Sequence, residues 1–250
     1  MKTLFSFLLL LATTALFSQD VTVLMKEGDN FEKQFKEAEA LDKYKQVLLL
    51  EPNHQKALVK AAEMNVAVGS RQTDKQAKRL YIESGYAFAQ RAFNTDSSQA
   101  DASYAMAMTS GKMTEIETEN KKLVGYVRDV RYYADKALSL NANHAKANYT
   151  LGKWHYEMAN LSGIRKAAVK LLYGGLPPGS FEDAERYMEK CKSLEPYFAP
   201  NYLDLAKAYK DDHKPAQAIE VLTRLVKLPT RSSEDITVKA EGAKLLASMQ

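Results

Sequence analysis

The chain has 250 residues, 46% of them hydrophobic and 26% charged, with a formal net charge of +4. That content excludes disorder throughout, and the length allows one large core or an array of small units. Lysines and arginines are spread along the chain and form no run, so nothing points to a nucleic-acid partner. The one cysteine, Cys191, rules out an intramolecular disulfide and reads as a small buried apolar residue.

The leading segment MKTLFSFLLLLATTALFSQD opens with Lys2, runs apolar from Leu4 to about Leu16 and turns polar at Ser18-Gln19-Asp20. This is the layout of a secretory signal peptide, and the run falls short of the ~20 apolar residues of a membrane-spanning helix. Cleavage after Ala15 or Ser18 places a small residue at the cut. The expected organisation is a signal peptide over 1–18 and a repeat domain over 19–250. The expected location is periplasmic or extracellular, with no stable membrane span once the signal is removed.

Beyond Asp20 apolar residues recur at spacings of three and four, alternating β-branched runs are missing, and Gly and Pro fall between the periodic stretches. The spacing predicts an all-α chain. Ala147, Leu151, Trp154 and Met158 share one helix face, and Ala218, Leu222 and Leu225 share another. A longer repeat overlies this periodicity. From Ala199, the residues Tyr202, Leu205-Ala206, Tyr209, Ala218, Leu222, Leu225 and Pro229 make a complete unit. The preceding unit starts at Ala145 with Leu151-Gly152, Trp154 and His155, then resumes at Ala184, Met188, Cys191 and Pro196 after an insertion. The small residue of each unit's second helix reads Ala40, Gly85, Val130, Ala184 and Ala218, at spacings of 45, 45, 54 and 34 residues. The extra length is expected between the two helices of each unit.

This pattern resembles the tetratricopeptide repeat, a pair of antiparallel helices in roughly 34 residues. The resemblance implies an α-solenoid of about five helical hairpins with inter-helix insertions. The stretch from Ser232 to Met249, with its Ser-Ser-Glu-Asp start, fits a C-terminal capping helix. Gly152 and Ala184 fall where two helices cross too closely for a larger side chain.

No catalytic set emerges. His54, His144, His155 and His213 lack the spacing that puts two on one helix face, and His54 and His144 fall at equivalent turns. The stretch Gly174 to Ser180 lacks the Gly-Lys-Ser/Thr ending of a phosphate loop and reads as a hinge returning the insertion. No enzyme, cofactor or metal site is therefore expected.

From about Tyr126 to Leu228 the chain also resembles the regulator of microtubule dynamics family. The resemblance rests on Ala137-Leu138, His144, Leu151-Gly152-Lys153-Trp154, Ala159, Leu161-Ser162, the inserted stretch Ile164 to Tyr173 with Gly174-Gly175, and Phe181 to Ala184. It implies an all-helical, non-enzymatic protein engaged in protein contacts, which in eukaryotes include microtubules and organelle membranes. The export signal departs from that family, so the implied fold and binding mode are carried over and the tubulin partner is not.

In such repeats the first helix of each unit lines the groove at its second, fifth, ninth and twelfth places. These places hold Lys146, Tyr149, Lys153 and Tyr156 in one unit and Pro200, Leu203, Lys207 and Lys210 in the next. The lysines are expected to clamp an acidic segment or a free carboxyl terminus of a protein partner, with Asn148 adding an amide hydrogen bond. Two other readings stay open: a structural subunit of a larger envelope complex, and a small-ligand binder using the 160–180 insertion.

Overall fold

The computed structural model describes residues 20–250, so the expected signal peptide and its cleavage sites lie outside the described residues. Every described element is a helix, and the chain divides into two compact units, Met1–Thr95 and Asp96–Gln250. The first unit holds α1 (residues 20–33), α2 (Glu37–Leu50), α3 (Gln55–Ser70) and α4 (Lys75–Thr95). The second holds α5 (Ala100–Met113), α6 (Asn120–Leu140), α7 (Ala145–Asn160), α8 (Gly163–Tyr173), α9 (Phe181–Leu194), α10 (Ala199–Asp211), α11 (Pro215–Leu225) and α12 (Ser233–Ala247). Among the described residues no helix is long and apolar enough to cross a membrane.

The hairpins follow the sequence frame: α3 packs on α4, α5 on α6, α7 on α9 and α10 on α11. Their starts are set by local chemistry. His54 and His144, expected at turns, are the N-caps of α3 and α7, each Nδ1 accepting a backbone N–H 3.1 Å away, from Ala57 and Ala147 respectively. Ser162, Ser180 and Ser232 cap α8, α9 and α12 in the same way. At α12 the Asp235 carboxylate answers the Ser232 backbone and completes a capping box, as the Ser-Ser-Glu-Asp start predicts. That helix packs along α10 and α11 and covers the end of the second unit's core with Val238, Leu245 and Leu246.

The extra length of the second and third hairpins takes a form that the spacing does not reveal. It is built as helix: α4 and α6 are each 21 residues long and run nearly three turns before reaching Gly85 and Val130, whereas α9 and α11 reach Ala184 and Ala218 in their first turn. Among the described residues, only the fourth hairpin carries a separate inserted helix, α8. Gly174 ends it in the left-handed region, at φ 76°, with Gly175 following at φ 88°. The Arg128 guanidinium then donates to the Gly175 carbonyl at 2.7 Å, and Leu176 packs against Val130, Trp154 and Met158. The return is therefore anchored on α6 and α7 and is not a loose hinge.

Close crossing explains Gly152. A Cβ there would lie 2.8 Å from Met188 Cγ and 3.0 Å from the Ala184 carbonyl oxygen, with the Met188 amide nitrogen at 3.2 Å. Two of those neighbours are backbone of α9 and cannot move aside independently. Ala184, on the opposing helix, is fully buried. Cys191 lies on the same helix in the same core, where burial pushes its thiol up to about 12 and keeps it protonated. His155 stacks on Tyr187 and meets the Trp154 edge, and burial lowers its pKa so that the neutral ring is the stable form. Replacing Gly152 with Leu is expected to destabilise the protein by about 2 kcal/mol or more. Urea and thermal melts measure this, and a variant that melts like the wild type contradicts the crossing.

Candidate functional site

The first helices α5, α7, α10 and α12 of the second unit lie side by side, α7 against α5 and α10, and α10 against α12. Residues of α7 and α10 that do not enter the hairpin core therefore meet across a shared seam. At its centre is Asp204, which is 7% exposed. Tyr149 donates its hydroxyl proton to Asp204 Oδ2 at 2.8 Å, and Lys153 Nζ approaches the same oxygen at 3.0 Å. Lys207 Nζ stands 3.6 Å from Oδ1 and bridges to Glu241 of α12 at 2.9 Å. A second tie lies further along the helices, where Tyr156 donates to Asp211 Oδ2 at 2.8 Å and the Asn160 amide donates to the same oxygen at 3.3 Å.

The electrostatics follow from this geometry. Burial opposes the charge on Asp204, but Lys153 and Lys207, with hydrogen bonds from Lys153 and Tyr149, outweigh it and hold the carboxyl below its usual range. Burial likewise disfavours the Lys153 ammonium, and Asp204 more than compensates, leaving its pKa raised. The Tyr149 and Tyr156 hydroxyls are pushed well above the phenol value, first by burial and then by the adjacent carboxylates. Both tyrosines are thus fixed as donors.

The structure brings together four of the seven residues expected in the groove and gives them partners within the chain. Tyr149, Lys153, Tyr156 and Lys207 are engaged by acids of the chain itself, so the carboxylate that the lysines were expected to clamp is already supplied by Asp204. Lys146 lies near the start of α7 with its ammonium 5.9 Å from the Tyr104 ring centroid. Lys210 is exposed near the end of α10. Asn148 does not line the groove: it is 1% exposed, and its amide donates to the His144 carbonyl at 2.9 Å and the Ala142 carbonyl at 3.2 Å, tying down the first turn of α7. Pro200 and Leu203 are buried as well. Sequence reasoning missed Asp204 and Asp211. The one signal available was an acid three residues before Lys207, which by itself describes an ordinary solvated pair.

Residues 24–250 match the model of a family described as regulator of microtubule dynamics protein 1-3. Regulator of microtubule dynamics protein 1 of Bos taurus is 25% identical over 176 residues, which cover 70% of this chain and 55% of that protein. Regulator of microtubule dynamics protein 3 of Xenopus laevis is 29% identical over 189 residues, 75% of this chain and 40% of that protein. The chain spans about half the length of the curated relatives it matches. Among solved structures, a thermophilic TPR protein of Thermus thermophilus gives a TM-score of 0.64 at 13% identity, covering 91% of this chain and 99% of that one. Pseudomonas aeruginosa pilF gives 0.54 at 12% identity, covering 93% and 90%. At such identities the likeness carries the fold, which is that of a tetratricopeptide-type α-solenoid.

Replacing Asp204 with Asn removes the ion-pair partner of Lys153 and is expected to cost roughly 1–3 kcal/mol at neutral pH. Because the folded carboxyl has a lowered pKa, this stabilisation is complete above the unfolded value of about 4 and is lost as pH falls through the folded value. Chemical melts of both proteins from pH 7 downward should therefore show a gap that closes below about pH 4. A gap that is absent at pH 7, or constant with pH, contradicts the assignment.

Proposed function

The chain belongs to the regulator of microtubule dynamics family, and from that premise we propose that it acts by binding another protein, catalyses no reaction, and holds a segment of its partner along the α7–α10 seam. The observation that carries this reading is the prebuilt polar surface around Asp204. Lys153 keeps 46% of its side chain exposed while it bridges to Asp204, and an ammonium has three donors, so the same group can also meet a partner. Lys146 and Lys210 extend the positive character toward the two ends of the seam. Side chains already held in place lose little freedom on binding, which favours recognition of an extended or helical segment. The partner segment is acidic, and it meets the outer lysines rather than displacing Asp204.

Regulation of microtubule dynamics is stated of relatives of which this chain spans about half the length, and it supplies no partner here. Export to a periplasmic or extracellular location remains part of the proposal, resting on the leading apolar run. Mass spectrometry of the native protein is expected to find a mature chain that begins near Gln19, whereas a retained Met1 contradicts export by cleavage.

Changing Lys146 and Lys210 together to Glu is expected to reduce cross-linked capture of the native partner by roughly tenfold or more, with the melting temperature nearly unaltered. The wild-type interaction should weaken as salt is added. Undiminished capture by the double variant places the binding surface elsewhere. Changing Lys153 and Lys207 instead would remove the counter-charges of Asp204 and confound binding with stability.

A further inference from the structure

We propose that the inserted helix α8 is a membrane-surface contact that lays an apolar face on an anionic bilayer. This goes beyond the protein-binding seam and uses none of its residues. At about 100° per residue, Ala167, Ala168, Leu171 and Leu172 fall on one side of α8. That side faces solvent: Leu171 is 85% and Leu172 66% exposed, and Leu171 is the most exposed of the large apolar side chains among the described residues. Val169, on the opposite side, is the partly buried one, and the principal packing partner of α8 is α6. The usual amphipathic arrangement is thus turned outward, apolar side to water.

The charges bordering this face have one sign. Arg165 and Lys170 flank it on its two edges, Lys166 lies on the far side of the helix, all three are exposed, and no Asp or Glu occurs from Met158 to Phe181. Short alkyl side chains beside basic residues are what an interfacial helix needs, the alkyl groups entering the acyl boundary while the ammonium and guanidinium groups meet lipid phosphates. A protein-binding face of this size would instead carry aromatic anchors and hydrogen-bonding groups, and the four outward residues offer neither. Charge complementarity and the purely alkyl face therefore favour the lipid surface over a protein partner.

The test is cosedimentation of the full chain with phosphatidylcholine vesicles, with and without about 30 mol% phosphatidylglycerol. Two variants are compared with the wild type, Leu171→Glu/Leu172→Glu and Arg165→Gln/Lys170→Gln. All three carry the same leading apolar segment, so differences between them report on α8. Expected are stronger binding to the anionic vesicles, loss of roughly tenfold or more of that binding in the leucine variant, and a smaller, salt-like loss in the charge variant. Melting temperatures should stay unchanged, because these side chains make few contacts. Equal binding by wild type and leucine variant overturns the proposal. So does an absence of vesicle binding by the wild type, and loss of a protein contact on the leucine substitutions would then assign the face to protein.

Discussion

A hairpin of two helices has no way to bury its apolar stripe alone, and stacking hairpins forces the outer edges of neighbouring first helices together. What meets at that edge in the second unit is a buried carboxylate, Asp204, and its charge must be answered from the adjacent helix or the edge will not close. Tyr149 and Lys153 of α7 answer it from one side and Lys207 of α10 from its own helix. The same contact therefore aligns the two helices and orients the side chains of the proposed binding surface. Stability and the proposed recognition draw on adjoining side chains, which is why the lysines nearest Asp204 are poor probes of binding.

The first unit uses a comparable device. Asp29 and Glu32 of α1 receive Lys56 and Lys60 of α3, each at 2.9 Å, while the hydroxyl of the fully buried Tyr44 reaches Asp29 at 2.8 Å and also contacts Glu32. In both units a tyrosine and a lysine converge on acids carried by a first helix. The recurrence is chemical rather than positional, since Tyr44 belongs to a second helix and Tyr149 to a first. It indicates that the outer edges of the first helices are held by interlocked charge, and their apolar stripes by the small-residue crossings at Gly85, Gly152, Ala184 and Ala218.

Much of this fold was legible in the sequence because it rests on local or periodic signals. The spacing of Leu151, Trp154 and Met158 announces a buried helix face, Gly152 announces a crossing, and Ser232 with Asp235 announces a helix start. The lengthening of α4 and α6 was not legible, since extra residues between two periodic stretches read equally as loop or as added turns. His213 adopts φ 59° at the α10–α11 turn, a conformation that histidine does not advertise. Asp204 was illegible for a different reason: its partners Tyr149 and Lys153 lie one unit earlier in the chain, and only the stacking of α7 on α10 brings them within reach. Asn148 was misplaced because a place in the repeat frame fixes direction only approximately, and a short amide beside a helix start finds backbone carbonyls first.

Asp204 couples the two first helices α7 and α10 through its hydrogen bond from Tyr149. A double-mutant cycle in urea at neutral pH, using Tyr149→Phe and Asp204→Ala singly and together, measures that coupling free of each residue's separate contribution. A coupling of about 1 kcal/mol or more is expected for a hydrogen bond to a buried carboxylate. Additive effects, with a coupling indistinguishable from zero, would show that the two side chains are neighbours without dependence and would remove the physical basis for a prebuilt binding surface.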